Sequence, residues 1–583
     1  MRNFDRIRAH KPENIEHRKA HIVGGGIAGL AAAVFLIDDG SMPGENVTIY
    51  EQLPDVGGSM DGAKNPRGYT SRGERELEPN MECLWYLCSK IPSLTEPGRT
   101  VLEETVDANR EYKIYSNRRV LYQQGKNYEQ ISDFKMSPAL SAKMIEMMTV
   151  PEEEVENVSI DEFFGDTAQE LYQSSMWICF HSMLAFKHYH SLIEMKRYMI
   201  RFVHHLPGIE HLRGQIELKW NQYDALIKPI KVWLAERGVT FLTNCTVYDL
   251  EMDAQADTVT GIRATVSGTD RYFAVAPDDA VIVTLGSMTQ NSCMGDNETI
   301  AATNRDTEHR GLFTLWENLS RKGEKFGHPE KFISDIDKTK WMSVFPTTKG
   351  YPEFHRRMRE LLDSRPGGSS GAVTILDSNW EISFVLYGKY FPDQAEDEDI
   401  FWFDGLYGER PGNYIKKPMA ECTGDEILTE FLYHLGMLDI RDEVLAHTYV
   451  STCMMPYITS QFMPRAIKDR PLVQPEDCTN LALIGQYVEL PGDVVFTVET
   501  SVRTAMMAAY GLLKLDRPVT PLYQPQYDIR IIAMCLKKML GIRGEVTFED
   551  LPQIDPMELG SQVGALLNAV NSIPEVADDD IIY

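Results

Sequence analysis

The stretch Ala20-His21-Ile22-Val23-Gly24-Gly25-Gly26-Ile27-Ala28-Gly29-Leu30-Ala31-Ala32-Ala33-Val34-Phe35-Leu36 runs from a short apolar segment through a glycine cluster into a second apolar segment. The first segment reads as a buried strand and the second as a helix, so strand, turn and helix arrive in the order of a dinucleotide-binding fingerprint. Gly24 permits the sharp turn. Gly26 lets the backbone approach a pyrophosphate, Gly29 lets helix pack closely on strand, and the helix N-terminus at Ile27 and Ala28 holds the negative charge. Val47-Thr48-Ile49-Tyr50 is a second strand that ends in Glu51, about 20 residues past the last glycine. Glu51, followed by Gln52, fits the acceptor for a ribose hydroxyl, and its charge would repel a 2′-phosphate.

The chain has 583 residues, too many for one hydrophobic core, and should divide into two to four domains. With 43% hydrophobic and 25% charged residues it has the composition of a soluble globular protein. Its most apolar run, Ile22 to Ile37, contains the glycine fingerprint and is too short for a membrane span. Met1 to Lys19 is polar and charged, so no signal peptide is expected. The nine cysteines show no CxxC pair and no ligand spacing, which points to reduced thiols, a cytoplasmic location and no metal site. A net charge of -28 argues against a nucleic-acid partner, which would require a basic surface.

Further strands are expected at Thr240-Phe241-Leu242 through Val247, at Asp279 to Thr284 and at Leu481 to Ile484. The last two run into the glycine turns Leu285-Gly286-Ser287 and Gly485-Gln486. Strands ending in glycine so far apart imply a discontinuous nucleotide domain. The expected fold class is α/β: a discontinuous Rossmann-like FAD-binding domain with an inserted mixed α+β substrate domain and a helical C-terminal region. The expected boundaries are an N-terminal arm over 1–19, the FAD-binding domain over 20–80, 220–300 and 450–520, substrate or lid domains over 81–219 and 301–449, and the C-terminal region over 521–583. Tyr527 to Leu540 reads as an apolar helix carrying Arg530, Lys537 and Lys538. It either packs on its own domain or touches a membrane surface at the inner face.

A second glycine pair, Gly57-Gly58, follows the ribose acid, as is usual in FAD-binding proteins. Together with Lys11-Pro12-Glu13-Asn14, Gly58-Ser59-Met60-Asp61-Gly62, Arg72-Gly73-Glu74-Arg75-Glu76, Glu82-Cys83-Leu84-Trp85, Glu194 through His205, Asn221-Gln222-Tyr223, Met454-Met455-Pro456-Tyr457 and Phe462-Met463-Pro464-Arg465, it gives a pattern that resembles the oleate hydratase family, also called the myosin-cross-reactive antigens. The resemblance covers about the whole chain. It implies an FAD-binding homodimer that adds water to a cis double bond of a free unsaturated fatty acid without net redox.

By the resemblance, the Arg72, Gly73 and Glu76 segment lies at the flavin and Glu76 activates the water, while Tyr198 protonates the alkene. A carboxylate that orients water and stabilises a developing cation, beside a phenol protonated at neutral pH, is reasonable chemistry for hydration. Ser59 and Ser287 are further cofactor contacts. Gln222 matches a residue assigned to the fatty-acid carboxylate, and Thr459 and Gln461 are secondary candidates as neutral donors. His204 and His205 read as structural. Met144, Met147, Met148, Met195 and Met199 either line an acyl tunnel or pack in the core. The family pattern has a second glycine where Glu74 stands, which implies weaker FAD retention. The competing readings are a flavin redox enzyme on lipids, such as a fatty-acid double-bond isomerase or desaturase, and a non-catalytic FAD- or lipid-binding protein.

Overall fold

The computed structural model describes residues 7–73, 75–129, 136–212, 214–365, 367–528, 530–531 and 534–535. Five parallel strands form the sheet that carries the glycine turn. Their spatial order is Leu481–Ile484, Ala280–Thr284, Ala20–Val23, Val47–Tyr50, Thr240–Leu242. All four residues of Ala20–Val23 are buried, as a parallel strand covered on both faces requires. Helix Ile27–Asp38 follows the turn and packs on helix Val498–Leu512, nearly five hundred residues later in the chain. The sheet therefore gathers strands from widely separated segments, in an α/β architecture of Rossmann type.

Chain order reverses about Ala20–Val23, with Val47–Tyr50 on one side and Ala280–Thr284 on the other. A crevice opens beyond the carboxyl ends of strands at such a switch point, and it places Gly24, Glu51 and Thr284 around one opening. An antiparallel three-stranded sheet (Cys245–Met252, Val259–Val266, Thr269–Ala274) flanks this unit.

The second large layer is an eight-stranded sheet in the order Cys293–Gly295, Thr448–Met455, Trp341–Lys349, Glu398–Gly405, Ile382–Leu386, Val373–Ile375, Val120–Tyr122, Asn127–Glu129. Its pairings are antiparallel except between Val373–Ile375 and Val120–Tyr122. The central strands are buried along almost their whole length because both faces are covered. A helical layer that includes Ser175–Leu184 and Leu192–Arg201 has its own core, built on Trp177, Phe186, Tyr198 and Phe462. Most of the expected C-terminal helix lies outside the described residues, as does Glu74; within reach, Pro525–Tyr527 is a short 3-10 turn and Tyr527 is exposed. No helix among the described residues is long and apolar enough to cross a membrane.

Candidate active site

Two cavities meet in the interior. The first, about 340 Å³, lies beyond the carboxyl ends of the parallel strands, and its walls include Gly24, Gly26, Ile27, Ala28, Glu51, Gln52, Gly58, Ser59, Arg72 and Ser287. The glycines sit where backbone geometry needs them. Gly24 has φ +98°, and a Cβ on Gly29 would fall 2.0 Å from the Gly24 carbonyl oxygen, so Gly29 serves helix packing behind the wall. Gly26 is open on its Cβ side, with only Gly58 Cα within 4 Å, at 3.9 Å. It also begins helix Ile27–Asp38 without any side-chain cap, leaving first-turn N–H groups directed at the cavity.

Glu51 is buried. Its Oε2 accepts from the Gly25 N–H at 2.7 Å and its Oε1 from the Leu53 N–H at 2.8 Å, which fixes the carboxylate at the cavity edge. Burial pushes its pKa up against those backbone bonds. Arg72 donates through Nε to Asp61 at 2.8 Å and through Nη2 to the Gly58 carbonyl at 2.7 Å, clamping the second glycine pair. Thr284 and Gln486 add buried side-chain oxygens, Oγ1 and Oε1, with no hydrogen-bond partner. An uncapped helix start, an open glycine, a fixed acid and unpaired polar atoms together suit a dinucleotide. Sequence reasoning placed Thr284 and Gln486 at strand ends but did not single them out; the glycine after each strand was the available signal.

The second cavity, about 230 Å³, is mostly apolar, with walls that include Met176, Phe180, Met199, Phe202, Trp402 and Phe496. Glu76 and Tyr198 both face it, and so does Gly73. Ile27, Ser59, Met288, Gln486 and Ser501 line both cavities, so the two adjoin. Tyr198 stands on helix Leu192–Arg201 with its ring against Phe186 and Phe462, and its hydroxyl donates to the Val495 carbonyl. Burial raises the phenol well above its usual pKa, and the buried Glu194 carboxylate adds to the rise, so Tyr198 keeps its proton across the whole working range.

Glu76 points Oε1 into the interior with no hydrogen-bond partner. Burial raises its pKa, while the Arg119 guanidinium, the Ala372 N–H and His205 work against that rise. Arg119 is itself buried and donates to the Ser370 carbonyl at 3.0 Å. The three-residue run Ser370-Gly371-Ala372 thus holds both the carboxylate and its counter-charge. Burial brings Arg119 down to about 10, still fully charged at neutral pH.

Near the same cavity, Glu78 Oε2 lies 2.6 Å from His204 Nε2 and 3.1 Å from His205 Nε2, and Arg201 lies 2.8 Å from Oε1. Burial alone would raise the Glu78 pKa; the two imidazoles and Arg201 overcome it and hold the carboxyl well below the usual range. The ligand-type atoms of Glu78, His204 and His205 lie within 4.8 Å of one another, but with Arg201 already neutralising the acid the arrangement is an ion-paired network.

Other expected residues fall elsewhere. Gln222 is buried, with its Nε2 donating to the Asp61 carbonyl at 3.1 Å. Thr459 donates to the Thr339 carbonyl at 3.1 Å, and Gln461 Nε2 donates to the Ile458 carbonyl at 3.1 Å. None of the three lies on the wall of either cavity, so the structure does not bring them to Glu76 and Tyr198. Among the methionines, Met199 lines the apolar cavity, whereas Met144, Met147 and Met195 are core residues and Met148 packs against that core.

Residues 17–510 match the family model of the MCRA family. The chain is 38% identical over 533 residues to the oleate hydratase of Streptococcus pyogenes serotype M49 (strain NZ131), with 89% of each chain covered. It is 31% identical to the linoleate hydratase of Lactiplantibacillus plantarum, covering 89% of this chain and 98% of that protein. Among solved structures, cyclohexylamine oxidase from Brevibacterium oxydans IH-35A shares the fold, with a TM-score of 0.50 at 12% identity over 85% of this chain and 99% of that one. The motifs, the joined cavities and a family match spanning most of the sequence converge, and the chain belongs to the MCRA (myosin-cross-reactive antigen) family.

Proposed function

We propose that this protein is a hydro-lyase that adds water across a cis double bond of a free unsaturated fatty acid, with FAD in the dinucleotide cavity. The observation that carries the reading is that Glu76 and Tyr198, far apart in the chain, face one apolar cavity that shares wall residues with the dinucleotide cavity. The hydratase relatives support the reaction class. Glu76 accepts a hydrogen bond from water and orients its oxygen toward one alkene carbon; Tyr198 delivers a proton to the other. The oxygen–carbon and carbon–hydrogen bonds form as the π bond, the Tyr198 O–H and one water O–H break; Glu76 takes the water proton, which passes back to the Tyr198 oxygen to restore both groups, and no electrons leave the substrate.

Protonating an isolated alkene with a phenol is difficult, so the apolar walls must exclude bulk water and hold the reactants in line. In its ionised form, which the Arg119 charge favours against the effect of burial, the Glu76 carboxylate stabilises positive charge developing on the alkene. Gly24, Gly26, Glu51 and Arg72 would hold the cofactor's pyrophosphate and ribose side. When bound, FAD would supply an electrostatic field that stabilises the charge developing in the reaction.

Incubating the flavin-loaded protein with a cis-9 unsaturated fatty acid in H2(18)O tests the reading. A hydroxy acid heavier by one solvent oxygen is expected, and Tyr198→Phe should keep fold and flavin while losing at least 100-fold in rate, the scale of a positioned general acid. An isomerised or dehydrogenated product would instead establish redox chemistry on the lipid.

A further inference from the structure

The segment that carries Glu76 is paired with a second segment beside the apolar cavity. Leu77 and Ile216 exchange both backbone hydrogen bonds, the Leu77 N–H donating to the Ile216 carbonyl at 3.0 Å and the Ile216 N–H to the Leu77 carbonyl at 2.9 Å. Both side chains belong to the core of the parallel-sheet unit. Their neighbours in the chain therefore turn the other way, with Gln215 opposite Glu78 and diagonal to Glu76, within reach of long side chains. Glu76, Glu78 and Gln215 all line the cavity.

The turn that delivers Gln215 is held against the cradle of Glu76. Leu212 and Gly214 have φ of +51° and +83°, and the Gln215 N–H donates to the Leu212 carbonyl at 3.1 Å. A leucine in the left-handed region is costly, so its packing must hold the turn. That packing is against Gly371, where a Cβ would fall 2.4 Å from Leu212 Cδ1 and 3.1 Å from Arg119 Nη1. The next residue, Ala372, supplies the N–H that Glu76 accepts. Gln215 Oε1 and Glu76 Oε1 are both buried without a hydrogen-bond partner. Two acceptors that lack donors on one apolar cavity call for a small ligand that donates twice, as water does.

Resting on the hydration reading above, we propose that Gln215 is the second acceptor for the attacking water and, after addition, for the product hydroxyl. The water donates one O–H to Glu76 and the other to Gln215, which leaves a lone pair to face the alkene. As the oxygen–carbon bond forms, the first O–H breaks and its proton goes to Glu76. The second O–H is kept as the hydroxyl of the product and still donates to Gln215. A neutral amide carbonyl is too weak a base to take the proton, so deprotonation falls to Glu76 alone.

The test replaces Gln215 with Met, close in shape but without the acceptor, and with the shorter Leu. Calorimetry on the flavin-loaded proteins compares stearate with 9- and 10-hydroxystearate, the two products that water on a cis-9 double bond can give. Each substitution should weaken one hydroxy acid by roughly 5- to 10-fold, the range of a neutral hydrogen bond, and leave stearate within about twofold. With a cis-9 unsaturated acid as substrate, kcat should fall by roughly 10- to 100-fold at nearly constant KM, because the water and not the acyl chain has lost its hold. Melting should not be lowered, since Oε1 bonds nothing in the unliganded protein. Equal weakening of stearate and both hydroxy acids, or a raised KM at unchanged kcat, would overturn the proposal. Loss of hydroxyl discrimination in a protein that yields no hydroxy acid would keep Gln215 as a hydroxyl acceptor and remove the hydratase reading. Hydration at the parental rate by both variants would keep that reading and remove Gln215.

Discussion

At the residue scale the proposed mechanism turns on keeping two groups in opposite protonation states inside one apolar chamber. Tyr198 is secured by burial, which only strengthens its hold on its proton. Glu76 is the vulnerable partner, because the same burial favours its neutral, useless form and only the Arg119 charge, the Ala372 N–H and His205 oppose it. The sign follows: hydration should fall as pH drops through the Glu76 pKa, which lies above the ordinary carboxylate value. Replacing Arg119 with Met removes the main opposing charge and should move that acid limb of kcat/KM further up in pH, with the alkaline side unmoved. A pH–rate profile of Arg119→Met superimposable on that of the parent protein would show that Arg119 does not position the charge on Glu76. Nothing near Arg119 in the sequence marks it, since it meets Glu76 only through Ser370-Gly371-Ala372, a run distant from both.

At the scale of the element, helix Leu192–Arg201 carries Glu194 and Tyr198 four residues apart, hence on one face. Glu194 is wholly buried, with Oε1 at 2.9 Å from Arg465 Nε and 3.0 Å from Arg470 Nη1. Arg465 continues to Glu489 at 3.0 Å and Glu489 to Arg197 at 2.6 Å. This network pins the helix and with it the phenol. Burial would raise the Glu194 pKa, but Arg470, Arg465 and Arg197 outweigh it and hold the group below its usual value. Its contribution to stability is therefore present above the unfolded carboxylate pKa and is lost as pH falls toward the folded one. Glu194→Gln leaves buried guanidinium groups without their counter-charge and should cost about 3–5 kcal/mol in urea unfolding, with a weaker acid dependence. Unfolding indistinguishable from the parent would mean that the helix is held by its apolar packing alone. The sequence motif around Tyr198 was legible, but the reason for its rigidity was not, because Arg465 and Arg470 arrive from the far end of the chain.

For the whole molecule, the legible part was what local order dictates: strand, glycine turn, helix and the buried acid Glu51 lie within about thirty residues, and parallel strands buried on both faces read as continuous apolar runs. The apolar cavity was opaque because its walls come from several layers, and whether Asp404 faces it depends on register with strands that are not its sequence neighbours. Gln222, Thr459 and Gln461 show the converse, since motif position alone does not say which way a side chain turns. The dinucleotide cavity draws walls from residues near 24–59, 245–247, 284–292, 311–312 and 485–501, so a ligand there ties together segments that the chain itself leaves far apart. FAD bound only by the folded state should therefore raise the melting temperature of the flavin-free protein, by about 2.7 kcal/mol of stabilisation at a hundredfold excess over Kd. Gly26→Ala provides the control. Its added methyl meets nothing closer than Gly58 Cα at 3.9 Å, so the unliganded fold should melt normally, yet the methyl stands where the backbone must approach the pyrophosphate. The FAD-dependent rise should shrink in that variant. A rise of equal size in both proteins would place the flavin somewhere other than the glycine turn, and no rise in either would remove it from this cavity.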